Sequence, residues 1–173
     1  GLAAVVAIWP IWLFVVRPAI APAWQLGPKL TRRARAYTVG AFAFSVLANI
    51  LALVVQAMSI AGPEGLLRGL TVTLGETRYG TWWLVRVGVL LIYAAILLGA
   101  AWWWPWRRRP VTLLTLVAAM ALPLPYSMIS HAGAEPQGQA TAIAFDYVHL
   151  LAASIWAGGL LFLVVALTPT VRD

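Results

Sequence analysis

Five stretches of this chain are each long and apolar enough to cross a lipid bilayer, and they fix its class of fold before any other feature is weighed. A hydrocarbon core of about 30 Å needs roughly 20 mostly apolar residues in a helix. Residues 2–20, 37–60, 81–104, 111–129 and 141–168 meet that requirement. With no water in the bilayer core, backbone groups must bond within their own segment, so the spans are helices. The expectation is an all-α polytopic transmembrane bundle of about five spans, forming a single domain over residues 1–173. Of these 173 residues 62% are hydrophobic and only 10% charged, against roughly a quarter charged in soluble domains. The third segment is the best delimited. Trp82 and Trp83 at one end and Trp102, Trp103 and Trp104 at the other lie about 30 Å apart at 1.5 Å per residue, the spacing of two interfacial aromatic belts.

Loop charges give the orientation. The first loop carries Arg17, Lys29, Arg32, Arg33 and Arg35, and the third carries Arg107, Arg108 and Arg109. Basic residues collect in cytoplasmic loops, so these two loops are expected inside. The second loop balances Glu64 and Glu76 against Arg68 and Arg78, and the fourth holds only Glu135 as a formal charge. Both are expected outside, with the N-terminus outside and Asp173 inside. The net charge of +7 is thereby explained by membrane topology, and the lipid bilayer rather than nucleic acid is the expected partner. The chain starts at Gly1 without an initiating Met, which points to a processed product or a piece of a longer chain.

Within the second loop, PEGLLRGLTVTLGE reads either as a short helix lying in the membrane interface or as a loop ordered by ordinary packing. Pro10 and Pro18 in the first span, and Pro123 and Pro125 in the fourth, remove backbone donors and are expected to kink their helices. Carbonyls freed at Pro123 and Pro125 can ligate cations, though the commoner result is a bend.

The side-chain chemistry is sparse. With no cysteine, two histidines and five carboxylates, disulfides, thiolate sites and cysteine nucleophiles are excluded. There is no Gly-rich phosphate loop, HExxH or GxSxG, so the chain is not expected to be an enzyme. Ionisable groups inside a span cost a few kcal/mol each and need a partner or a function. Arg86 and Asp146 lie at similar depths below the outer ends of the third and fifth spans and are the expected ion pair, a structural clasp or part of a site. His149 stands three residues after Asp146 on one helix face, and along that face follow Ala153, Trp156, Ala157 and Leu160, flanked by Ala152, Gly158 and Gly159. Small residues permit close helix approach, so this stripe, with Trp156, Gly158 and Gly159 as packing residues, is expected to face the bundle interior. His131 lies just past the fourth span, in SHAGAEPQGQ, which places both histidines at one outward corner. Met128 is three residues before His131, and Met58 closes the second span. Imidazole and thioether ligands suit Cu(I), whereas Mg and Ca want more carboxylates. The candidate metal ligands are therefore His131, His149, Asp146 and Met128, with copper as the expected metal.

The runs SHA at Ser130 to Ala132 and DYVHLLAASIWAGGL at Asp146 to Leu160 resemble the signature of the copper resistance D family. FVVRP at Phe14 to Pro18 and YGTWWLVR at Tyr79 to Arg86 extend the similarity. The resemblance implies a bacterial cytoplasmic (inner) membrane protein associated with moving copper, in some members fused to a periplasmic copper-binding domain. The positions it implies are His131, Asp146, His149 and Trp156, with Arg86 in support. Family members continue into further spans after the fifth. Two other functions fit the same residues: a non-catalytic accessory subunit using the bundle as a scaffold within a larger membrane complex, and a haem-binding redox bundle with His131 and His149 as axial ligands.

Overall fold

The short apolar stretch at the start of the chain becomes the centre of the bundle. In the computed structural model, which describes residues 2–16, 18, 27–102, 109–134 and 137–168, helix α1 (Leu2–Ile11) has residues 4–9 buried without a break. A helix apolar on every side has no face to offer water and is stable only when enclosed. Around it run α2 (Gly27–Ala61), α3 (Leu66–Glu76), α4 (Arg78–Trp102), α5 (Arg109–Ala121), α6 (Leu124–Ile129), α7 (His131–Ala134) and α8 (Gln139–Phe162). The described residues contain no strand. The fold is all-α, as expected.

Three helical stretches have the length and hydropathy to cross a membrane, Pro28–Ala61, Arg78–Gly99 and Gln139–Val165. Two shorter apolar ones are Leu2–Val16 and Leu113–Ile129. Each of the five expected segments is thus helical over its described residues, with three at full spanning length. The second begins ten residues earlier than the hydrophobic stretch suggests, so Lys29, Arg32, Arg33 and Arg35 lie on the first turns of α2 rather than in a loop. Pro28 next to the helix start supplies a favourable φ, and Lys and Arg are good helix formers. At 35 residues and 1.5 Å per residue the helix exceeds the hydrocarbon thickness, leaving its basic turns free to project beyond it. Arg17, Trp103, Trp104, Arg107, Arg108, Glu135 and Asp173 lie outside the described residues.

Pro10, Pro123 and Pro125 act where expected, while the residues on either side of Pro18 lie outside the described ones. After Pro10 the α-helical pattern of α1 widens into a π-helical stretch, Trp12–Val16, since Pro10 cannot donate to the preceding turn. Between α5 and α6 the helix breaks at Leu122 and Pro123. There Leu122 N donates to Ala119 O at 3.3 Å, and Tyr126 N and Ser127 N both reach Pro123 O, at 3.0 and 3.2 Å. The second-loop segment is a helix, α3, entered through a 3₁₀ turn at Pro63–Gly65. It is wedged between its neighbours at two glycines. A Cβ on Gly69 would come within 2.2 Å of Ala57 O, and one on Gly80 within 1.9 Å of Thr73 O.

The most extensive helix contact joins α1 to α8. A Cβ on Gly158 would lie 1.9 Å from the carbonyl oxygen of Ala3, and one on Gly159 2.9 Å from the Ile11 side chain. Lipid offers no hydrophobic drive for helix association, so backbone approach at small residues and van der Waals contact supply it. Tyr37 donates to Gly158 O at 3.3 Å and meets Phe162 edge-on, with ring centroids 5.3 Å apart. Trp9 Nε1 donates to the Tyr93 hydroxyl at 3.3 Å.

Gly158→Ala is expected to destabilise the bundle by at least the 1–3 kcal/mol typical of overpacking. Gly40→Ala, where an added Cβ meets nothing within 4 Å, is expected to be neutral or to stabilise by up to ~1 kcal/mol through helix propensity. Thermal unfolding of the two variants in one detergent, measured side by side, checks the contrast.

Candidate functional site

Arg86 is the most deeply buried charge among the described residues, at 2% exposure, and its surroundings are polar by construction. Its Nη1 donates to Asn49 Oδ1 at 2.9 Å, and its guanidinium carbon sits 3.7 Å above the centre of the Tyr126 ring. Asn49 is the hub. Its Nδ2 donates to Ser45 O at 2.8 Å and to the Tyr126 hydroxyl at 3.4 Å, and its backbone carbonyl accepts Trp83 Nε1 at 3.1 Å. Tyr79, two turns before Arg86, faces the same guanidinium closely enough to interact with it electrostatically. A cation stacked on an aromatic ring gains most where water is excluded, and a hydrogen bond to a charged group is stronger than a neutral one.

The ion pair expected between Arg86 and Asp146 is not among the contacts of the described residues. Helix α4 packs on α3, α5 and α6, whereas α8 packs on α1, α6 and α7. Equal depth in the membrane therefore does not make the two charges neighbours. Asp146 has a different partner: the Ser130 hydroxyl lies 3.0 Å from its Oδ2 and 2.9 Å from Ser127 O, one proton between two acceptors.

That bond ties the segment carrying His131 to the turn of α8 that precedes His149. Further pins hold the segment. Gly133 O accepts both Arg78 Nη1 and, at 2.6 Å, Gln139 Nε2. Gly133 approaches Met128 O so closely that a Cβ would lie 2.3 Å away, and Gly138, at φ +71°, takes the left-handed conformation that starts α8. Ser130 is level with Asp146, so the chain after α6 lies against the flank of α8, about two helical turns from its start.

The proposed ligands are only partly gathered. His131 and His149 are both exposed, and Asp146 and Met128 are half-buried. Among the described residues no group of three or more His, Asp or Glu stands close enough to hold a metal ion. The stripe that carries His149 also departs from expectation. Ala153, Trp156, Ala157 and Leu160 are exposed, Trp156 at 72%, so this face points away from the bundle. The inward face carries Ser154, Gly158 and Phe162. Gly158 is nine residues after His149, half a rotation at 100° per residue, and it is the glycine that meets α1. Gly158 and Gly159 thus pack as expected, and Trp156 does not.

Sequence reasoning missed Asn49, Tyr126 and Tyr147. Tyr147 donates to Met120 O at 3.0 Å, so a carbonyl just before the proline break finds a protein donor. Each is an isolated polar group within an apolar stretch, a signal as strong as a charge, because every such group must be satisfied.

In a double-mutant cycle on stability, Arg86→Met and Asn49→Leu are expected to couple by about 1.5–3 kcal/mol, the range for a hydrogen bond to a charged group. Arg86→Met and Asp146→Asn are expected to add within ~0.5 kcal/mol, as separated sites do.

The chain matches the family described as Copper resistance protein D-like, N-terminal domain, over residues 1–141. No curated protein and no solved structure matches it. The match takes in α1 to α7 and the first residues of α8, including Arg86 and His131, and by it this chain belongs to the copper resistance D-like family.

Proposed function

We propose that this chain is a copper-handling integral membrane protein, with copper as its cargo rather than a resident cofactor. It is read as residing in the bacterial cytoplasmic membrane, with five spans and the N-terminus outside. The observation that carries the site is the Ser130–Asp146 hydrogen bond. It holds His131 on the flank of α8 close to the turn that bears His149. His149 lies ten residues into a membrane-length helix, on its outward side, where an imidazole facing lipid is costly without a function or a partner. Cu(I) accepts few ligands and favours imidazole and thioether. His131 and His149, with Met128 three residues before His131, would suit a low-coordinate ion that must later leave. Asp146 keeps one oxygen engaged by Ser130 and adds negative charge at the corner. Protons compete with copper for neutral imidazole, so binding weakens as pH falls.

A second reading, the accessory subunit, draws on the exposed side of α8, where Phe145, Val148 and Trp156 are 73%, 60% and 72% accessible. Another membrane subunit seated there would cover the same histidine.

Purified protein under reducing conditions is expected to take about one Cu(I) per chain in competition with a chromophoric chelator. His131→Ala and His149→Ala should each lower the affinity by more than ~10-fold, as loss of a metal-site contact does. Wild-type protein that retains no Cu(I) would favour the accessory reading. For topology, single cysteines at positions 32 to 35 are expected to react with impermeant maleimide only when the cytoplasmic side is opened.

A further inference from the structure

Beside Arg86 the bundle holds a small, partly open cavity of about 10 Å³, lined by Ser45, Asn49, Arg86, Tyr126 and three leucines. That is room for one water-sized occupant. The polar groups around it share one character. Arg86 Nε and Nη2 and Ser45 Oγ are buried and have no partner at hydrogen-bond geometry among the described residues; the Tyr79 hydroxyl, near the same guanidinium, does not meet that geometry. Arg86 and Ser45 are themselves only 2% and 4% exposed. The acceptor of Asn49 is already taken by Arg86 Nη1, and both bonds from its amide go elsewhere. The Tyr126 oxygen accepts from Asn49, which leaves its own proton to give. The capacity that remains unused is almost entirely donor capacity.

The charge balance points the same way. Of the five carboxylates, Glu64 and Glu76 are exposed and lie on the α3 segment, Asp146 is engaged by Ser130, and Glu135 and Asp173 lie outside the described residues. No described carboxylate faces Arg86, and an uncompensated charge in a membrane span is expensive. Water satisfies donors but leaves the charge; a monatomic anion does both. The small volume favours a monatomic anion over sulfate, phosphate or an organic carboxylate. The geometry points to a halide site: chloride held by Arg86 Nε and Nη2 and by the hydroxyls of Ser45 and Tyr126, against leucine walls, as the counter-ion of Arg86. This site is separate from the copper corner and does not rest on that reading.

The test uses the full chain, purified in detergent, treated with a chelator to remove metals and held at constant ionic strength. Radiolabelled chloride should be retained at about one ion per chain and displaced by bromide but not by gluconate. Thermal stability should rise with the logarithm of chloride concentration above half-saturation, as binding to the folded state alone requires, and remain flat in gluconate. Ser45→Val, which fills the cavity and keeps Arg86, should reduce chloride retention to background and flatten the stability curve. Wild-type protein that retains no chloride and shows equal stability in chloride and gluconate overturns the proposal and assigns the cavity to water. Because that measurement is made on the wild type, the outcome stands even if the variant fails to fold.

Discussion

A guanidinium in the middle of an apolar bundle has to be solvated by the protein, and much of the arrangement around Arg86 follows from that requirement. Asn49 on α2 supplies the acceptor and Tyr126 on α6 supplies the ring. Tyr126 follows directly on Pro125, in the short helix that begins at the break. The break itself leaves backbone groups without helical partners, and one of the nearby carbonyls, Met120 O, is answered by Tyr147 on α8. A line of polar contacts thus runs from α2 through α6 and the end of α5 to α8. Removing one member leaves its neighbour buried and unsatisfied, the costly case in a low-dielectric setting.

The apolar half of the design rests on α1. Because α1 is enclosed on all sides, each helix around it is fixed partly by its fit to that rod, and α8 approaches at the glycine pair 158 and 159. Committing that side of α8 to α1 decides what the opposite side presents. With 3.6 residues per turn, His149, Trp156 and Leu160 must point outward once Gly158 points inward. The outward position of the candidate ligand is therefore a packing consequence as much as a functional one.

The sequence makes the helical class, order and approximate extent of the apolar helices legible, because about 20 apolar residues per crossing is a constraint read residue by residue. The proline break at 123 and the turn glycine at 138 are legible for the same local reason. What a single sequence does not carry is which helices are neighbours. Arg86 and Asp146 are expected at similar depths, yet α4 packs on α3, α5 and α6 while α8 packs on α1, α6 and α7, and Asn49 stands where the carboxylate was expected. The facing of α8 is likewise ambiguous from small residues alone. Alanines at 152, 153 and 157 and glycines at 158 and 159 surround the helix, and only the contact with Ala3 selects a side. The start of α2 was hidden because a membrane criterion ends where charge begins, while a helix has no reason to.

The division of labour among the polar side chains bears on the proposal that this bundle handles copper. Arg86, Asn49, Tyr126 and Tyr147 are drawn into internal contacts that hold helices together, and a metal competing for them would have to disturb the fold. The two imidazoles are different, since no described residue donates to or accepts from either, and both lie on the surface of the bundle. A transported ion needs ligands that can take it up and release it without breaking structural bonds, and a low-coordinate Cu(I) needs few of them. Under the copper-handling proposal, tying His131 to the flank of α8 through Ser130, rather than through its own ring, would meet both needs. The hydroxyl bond sets the position of the segment and leaves the imidazole free to exchange ligands.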